Sequence, residues 1–432
     1  MNINRILTII SILLLVILFM SCAGIGTSEK PTQLPPALET KAQKDIQPPE
    51  AIVPKAEPPL VKPPLGKADR YTVGCVLPLS GSYAAEGKKV LDAILLAAGI
   101  FDQTSKSPWK VIATDSRGVP EGAKEAIARL ANDENVIAII AVAGTLEATE
   151  AASEAEKWKV PLVLITAKEG VTAGNYYVFQ HFLTPTQQIR ALTKYVLDNM
   201  NCAIFSILYP KDRYGTEMVK IFREEVAQIG GKVERAVPYS KTQTDFTEEI
   251  NKVTKYAVSS AKKANANNPE NKVHVSIDFE ALFIPDSYLR VKMIAEQLAF
   301  YDVRGIKLLG TNLWNSPDLL KKGAEYLEGA VFADSFYTLS YYPETNNFVD
   351  VYYSTYGREP EYIEALAYDS AGMIFQVLEK NDIQTRRDFA SALIQVDNYK
   401  GVTGVTYFDA DRVAQKTAFI LRVKNGKLEQ VR

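Results

Sequence analysis

Seven apolar residues in unbroken succession, Val136 to Val142 (VIAIIAV), constrain this chain more than any other stretch. The run is too short and too β-branched for a helix. A strand that is apolar on both faces has to be covered on both faces. The same material recurs: Tyr71 to Leu77, Trp109 to Thr114 and Val160 to Thr166 read as further strands. Helical patterns separate them, one running on to Ile100 and the others at Pro120 to Asn132 and Leu146 to Trp158. In the second of these, Ala123, Ile127, Leu130 and Ala131 fall at helical spacing, and Pro120 suits the first position. Strands alternating with amphipathic helices predict α/β architecture with a doubly wound parallel sheet. Ligands of such sheets bind beyond the carboxyl ends of the strands. That rule puts Ser80 to Tyr83, Gly144-Thr145 and Thr166 to Glu169 on one rim.

The alternation resumes downstream. Strands are expected at Cys202 to Tyr209, Lys232 to Pro238, Phe279 to Ile284, Ile306 to Gly310 and Ala330 to Ala333. Helices are expected at Gln187 to Met200, from the Asp212-Arg213-Tyr214-Gly215 turn through Ile229, at Phe246 to Ala264 and at Tyr288 to Tyr301. The rim loop Thr311-Asn312-Leu313-Trp314-Asn315 offers an indole among polar neighbours, either a ligand platform or a packed aromatic. Two helices, Asn347 to Tyr356 and Glu364 to Glu379, and a last strand, Ala418 to Val423, follow.

At 432 residues and 47% hydrophobic, the chain has room for two domains with real cores. A net charge of −2 gives no electrostatic case for nucleic acid. With two histidines, His181 and His274, far apart, a His-based metal site has little material. His181 lies near an expected crossover and reads as structural. There is no G-x-S-x-G elbow, P-loop or paired-His motif, so neither enzyme nor cofactor is expected. Cys75 and Cys202 open or sit within apolar strands of different domains and are expected as small buried hydrophobes rather than a disulfide.

The N-terminal part is different material. Ile6 to Met20 is uncharged and apolar, too short for a comfortable membrane span, and fits the core of a signal peptide over 1–21. Phe19-Met20-Ser21-Cys22 resembles a bacterial lipobox, which implies lipidation of Cys22 and a membrane anchor. Residues 22–69, with four Pro-Pro pairs, are expected to form a Pro-rich, disordered or semi-rigid tether. At ~3 Å per residue it would reach on the order of 100 Å.

The strand followed by Leu77-Pro78-Leu79-Ser80-Gly81, Tyr83-Ala84 and Gly87 resembles the opening signature of type I periplasmic binding proteins. Asp212-Arg213-Tyr214-Gly215 is similar to the D-x-x-Y-G element of the leucine/isoleucine/valine-binding branch. Tyr356-Gly357-Arg358-Glu359-Pro360, with Ala365 and Ala367-Tyr368-Asp369, is similar to its Y-G-x-x-P…A-x-x-A-Y-D element. The resemblance implies two doubly wound lobes, 70–183 with 338–405 and 184–337 with 406–432, closing on a ligand by a hinge. It implies a small, amino-acid-like solute contacted by Ser80, Tyr83, Gly144, Thr145, Ala167, Lys168 and Tyr214, to which the reading of the rim loop adds Asn312 and Trp314. Gly144 and Thr145 would hold a carboxylate at a helix start. The amino-acid binders carry a small run where this chain has Ala167-Lys168-Glu169. The implied partner is an ABC-type permease and the implied place the cell envelope, on the periplasmic side. ALFIPDS (281–287), QLAFYDV (297–303) and LLGTNLWNSPDLL (308–320) are also similar to penicillin-binding-protein activator lipoproteins, for which the partner would be a peptidoglycan synthase.

Overall fold

A computed structural model of the chain describes residues 68–101, 106–267, 273–380 and 382–431. The expected signal peptide, Cys22 and all but the last two residues of the expected tether lie outside the described residues. Asp69, the last of these, already opens the first strand.

The first half alternates as its periodicity predicts, with one short strand more, Val178–Gln180, than expected. β1 (Asp69–Leu77), α1 (Ala84–Ala97), β2 (Lys110–Asp115), α2 (Pro120–Asn132), β3 (Val136–Val142), α3 (Thr145–Trp158), β4 (Leu162–Ile165) and β5 (Val178–Gln180) follow in order. The five strands pair in parallel in the order β2-β1-β3-β4-β5. Because side chains alternate along a strand, Val73, Cys75 and Leu77 of β1 enter one core and Val76 the other. α2 and α3 cover that second face.

The chain then crosses to a second sheet. α4 (Pro185–Met200), β6 (Ile204–Pro210), α5 (Arg213–Gln228), β7 (Lys232–Tyr239), α6 (Thr247–Val253), α7 (Ala257–Asn267), β8 (Ala281–Phe283), α8 (Tyr288–Phe300), β9 (Lys307–Gly310) and β10 (Val331–Asp334) build it. The single helix expected over Phe246 to Ala264 is two. Lys255 and Tyr256 take left-handed φ values of 53° and 60°, and the Thr254 hydroxyl donates back to the Ile250 carbonyl at 2.7 Å.

The chain returns through α9 (Pro343–Tyr356), α10 (Tyr362–Lys380) and α11 (Arg386–Leu393), which pack on the first sheet's free face with α1. A small antiparallel sheet follows, β11 (Tyr399–Gly401), β12 (Gly404–Phe408) and β13 (Ala414–Lys416). Phe408 and Ala414 belong to the same core as α10, and the lobe boundary expected between 405 and 406 falls inside β12. β14 (Phe419–Lys424) and β15 (Lys427–Gln430) complete the second sheet, whose order is β15-β14-β10-β9-β8-β6-β7. Asn425 and Gly426 join this last hairpin with φ of 53° and 68°, the two-positive-φ turn that matches strand twist. α4 and α5 cover one face of that sheet, α6, α7 and α8 the other.

The described residues thus hold two doubly wound lobes within one compact unit. Three passages join them: 181–184 between β5 and α4, 335–342 between β10 and α9, and 417–418 between β13 and β14. Cys75 and Cys202 are buried free thiols in different cores, and burial pushes the Cys75 thiol up to about 12. No helix among the described residues is long and apolar enough to cross a membrane.

Candidate functional site

Parallel strands end together, so each lobe presents its loops on one rim. On the first, β1 ends in Pro78 and a 3-10 turn at Gly81–Tyr83 leads into α1. Ser80 and Tyr83 are exposed, Tyr83 by 61%, and the Tyr83 ring leans on the next loop at Gly118. The Leu79 and Ser80 amides do not point at open space. Asp115, at the end of β2, accepts from Leu79 N at 2.8 Å, Ser80 N at 3.2 Å and Arg117 N at 2.8 Å. Burial alone would raise Asp115, but the Ser80, Arg117 and Leu79 donors outweigh it and hold its carboxyl below the usual range. Ser80, expected as a solute contact, thus gives its amide to the protein's own carboxylate.

The second rim loop shows the same economy. Gly144 caps α3, but its N–H donates to Glu147 Oε2 at 3.2 Å, and Ser116 Oγ donates to Glu147 Oε1 at 3.1 Å. Gly144 is thus engaged with an internal acid that sequence reasoning passed over. A Glu at the third position of a helix is the available signal. The amides of Thr145 and Leu146 precede the first intrahelical bond, Ala148 N to Gly144 O at 2.9 Å, and both residues are exposed. They, with the Thr145 hydroxyl, are what remains for an external anion.

In the third loop, the buried Gln180 amide donates to the Thr166 and Lys168 carbonyls at 2.8 and 3.0 Å. That fixes the backbone around exposed Ala167. The Lys168 ammonium has no hydrogen-bond or ion-pair partner among the described residues. Its side chain lines a groove of about 600 Å³ with Thr149, Ser153 and Glu156 of α3.

On the second lobe's rim, Asp212 caps α5 by accepting from Gly215 N at 2.8 Å, and Tyr214 follows in the first turn. Tyr214 OH lies 3.4 Å from Thr311 Oγ1, and burial, with Asp286 and Asp212 adding to it, pushes its phenol up to about 12. Beside it, Tyr239 OH donates to Asp286 Oδ2 at 2.7 Å. Asp286 is half-buried on the loop after β8. Asp318, on the loop after β9, is paired with Lys321 at 2.6 Å.

Asn312 is half-buried on the loop after β9, and its N–H donates to Gln188 Oε1 at 3.4 Å. Trp314 corrects the expected platform. It is fully buried, its Nε1 donates to the Ile284 carbonyl at 3.1 Å, and its ring covers Gly310, where a Cβ would stand 2.1 Å from the indole. A 3-10 turn over Asn312–Trp314 swings the ring inward, leaving no face for a ligand.

The first turn of α4 touches both rims. Thr186 N donates to Glu169 Oε1 at 3.4 Å on the first, and Gln188 meets Asn312 on the second. Ser80, Tyr83, Thr145, Ala167 and Lys168 stand on one rim, Tyr214, Asn312, Tyr239 and Asp286 on the other.

The sequence profile of the periplasmic binding proteins matches residues 70–268 and 291–427. Among solved structures, a protein from Rhodospirillum rubrum assigned to branched-chain amino acid ABC transport is 21% identical, with a TM-score of 0.72 over 83% of this chain and 99% of that one. The branched-chain amino acid transporter substrate-binding protein LivJ of Streptococcus pneumoniae, in complex with isoleucine, is 23% identical, with a TM-score of 0.59 over 83% and 97%. A solute-binding protein of Rhodopseudomonas palustris, in complex with 3,4-dihydroxybenzoic acid, is 21% identical, with a TM-score of 0.60 over 84% and 95%. No curated protein matches the chain. Two doubly wound lobes joined by three passages agree with the profile, which spans most of the sequence: the chain belongs to the periplasmic binding protein family.

Proposed function

We propose that the chain is a non-enzymatic solute-binding protein that captures a small polar, amino-acid-like molecule between its lobes and hands it to an ABC-type permease. On this reading it is held at a membrane, on the periplasmic side, by lipid on Cys22. The observation that carries the reading is the meeting of the two polar rims at the first turn of α4. The Thr145 hydroxyl with the Thr145 and Leu146 amides would take an anionic group. Asp286, oriented by Tyr239, would take a cationic one.

Calorimetry with amino acids and acidic amino-acid derivatives tests this. Thr145→Val is expected to weaken binding by about tenfold or more, as loss of one hydrogen bond to a charged group would. Absence of heat with every small polar solute would count against solute capture and favour the other expected partner, a peptidoglycan synthase.

A further inference from the structure

Where the first and third passages leave the first lobe, they are bonded to each other through a buried chain of side chains. His181, the first residue after β5, is fully buried. Lys416, the last residue of β13, is part-exposed along its stem and sends its ammonium inward to His181 Nε2 at 2.8 Å, Thr403 Oγ1 at 2.7 Å and Thr406 Oγ1 at 2.8 Å. All three ammonium donors are thereby satisfied. On the other side of the imidazole, Nδ1 lies 2.7 Å from Ser370 Oγ, and that hydroxyl donates to the Leu366 carbonyl at 2.8 Å. Ser370 can then only accept from the ring, which fixes His181 as the neutral Nδ1–H tautomer with a lone pair for Lys416. Asp369 closes the chain, accepting from Val402 N at 2.8 Å and from Thr403 N at 2.9 Å and Thr403 Oγ1. The neighbouring backbone is tied as well: Gln180 N donates to Arg412 O at 2.9 Å, and Gln187 Nε2 to Ala414 O at 2.7 Å.

We propose that His181 is a proton-operated release on the interlobe hinge: while neutral it locks the first and third passages together through Lys416, and on protonation it unlocks them. A protonated ring has no lone pair, so it would set an N–H against an ammonium at hydrogen-bond distance in a dry interior. Nothing nearby offsets that second cation. Lys416 on β13 and Asp369 on α10 are the charged groups here, and the single negative charge of Asp369 already answers Lys416. Tyr368 on α10 and Tyr399 on β11 face Asp369. The rim loop after β4 brings Glu169, bonded to Thr186 N, while β4 itself brings the Leu164 carbonyl, bonded to His181 N, and α4 brings uncharged Gln187 and Gln188. Burial first, and the Lys416 charge second, hold the imidazole neutral well below its usual range, so the lock is shut at neutral pH and opens in acid. Burial likewise brings Lys416 down to about 8, against the pull of Asp369, which leaves it charged across the acid range. With the lock shut, bending in the first and third passages is confined to 182–184 and 417–418, and the second passage, 335–342, is untouched by it.

The test needs no solute, so its outcome is separate from that of solute capture. In the full chain, nitrogen-15 imidazole spectra are read between pH 7 and 4; with two histidines, one exposed, assignment is direct. His181 is expected as the neutral Nδ1–H tautomer at pH 7, and the opposite tautomer would overturn the proposal. Hydrogen-exchange protection factors at 181–187 and 413–418 are expected to fall up to about tenfold per pH unit below 6.5, the ordinary value of a released imidazole. His181→Gln supplies the control, because its carbonyl can accept from Lys416 and its amide donate to Ser370, yet it cannot titrate. It keeps Asp369, which also gains protons in acid. The variant is expected to lose the slope; a slope as steep as the wild type's would assign the effect to Asp369 or to general loosening and sink the idea. No slope in the wild type would do the same.

Discussion

At Asp334 a single carboxyl carries a large pH dependence. It ends β10, is 2% exposed, and has no cation beside it; Asn315 Nδ2 at 2.7 Å, Ser335 N at 2.5 Å, the Phe336 N–H and the Ser335 hydroxyl are its donors. Burial outweighs those donors and raises it from 3.8 to about 7. The folded chain therefore holds a proton that the unfolded chain has lost between about pH 4 and 7. Stability from this group is greatest at the acid end, falls as pH rises through that window, and levels off above it. Asp334→Asn should flatten the curve, gaining up to about 4 kcal/mol relative to wild type on going from pH 4 to pH 8. Urea unfolding of both proteins across that range checks it; parallel curves would show that Asp334 is ionised throughout. Nothing in the sequence marks Asp334, since its cost arises from a burial that only the finished second lobe creates. Trp314 is the converse. Its polar neighbours in sequence suggested an open face, and the sense of one 3-10 turn decided otherwise.

The elements themselves were largely legible, because each strand was a short apolar run and each helix a 3.6-residue pattern. One glycine shows how far a motif can be explained by packing. A Cβ on Gly215 would lie 2.1 Å from the Pro210 carbonyl oxygen, so the first turn of α5 can seat against the end of β6 only without a side chain. The glycine of the Asp212-Arg213-Tyr214-Gly215 turn is thus a packing requirement, while Asp212 is its cap. Gly215→Ala should cost about 2 kcal/mol or more, the usual scale of overpacking, and should shift Tyr214 away from Thr311. Denaturant unfolding measures the first, and tyrosine ring shifts the second; an unchanged midpoint would mean that helix and strand have room to part. The break between α6 and α7 was not legible, because the apolar period continues across residues held in left-handed conformations. Nor was the sheet of β11, β12 and β13, whose strands are three to five residues long and give too few alternations to read.

For the whole molecule, the decisive property is whether the lobes move as bodies. Each has its own sheet with both faces covered, so each can stay rigid while the chain bends between them. Bending has few places to occur: 181–184, 335–342 and 417–418, the first shortened to 182–184 by the His181 to Lys416 bond. Solute capture between rims requires that a ligand favour the closed arrangement, since a ligand indifferent to closure shifts nothing. Small-angle scattering of the full chain should therefore show a smaller radius of gyration with bound solute than without, from a folded unit of about 21 Å. Whatever the N-terminal residues add is common to both curves. Thr145→Val, at solute concentrations that saturate the wild type but not the variant, should lag behind in compaction as it does in heat. Binding heat without compaction would place the solute on one lobe alone. The meeting of the two rims at α4 would then be a fixed interface rather than a closing cleft.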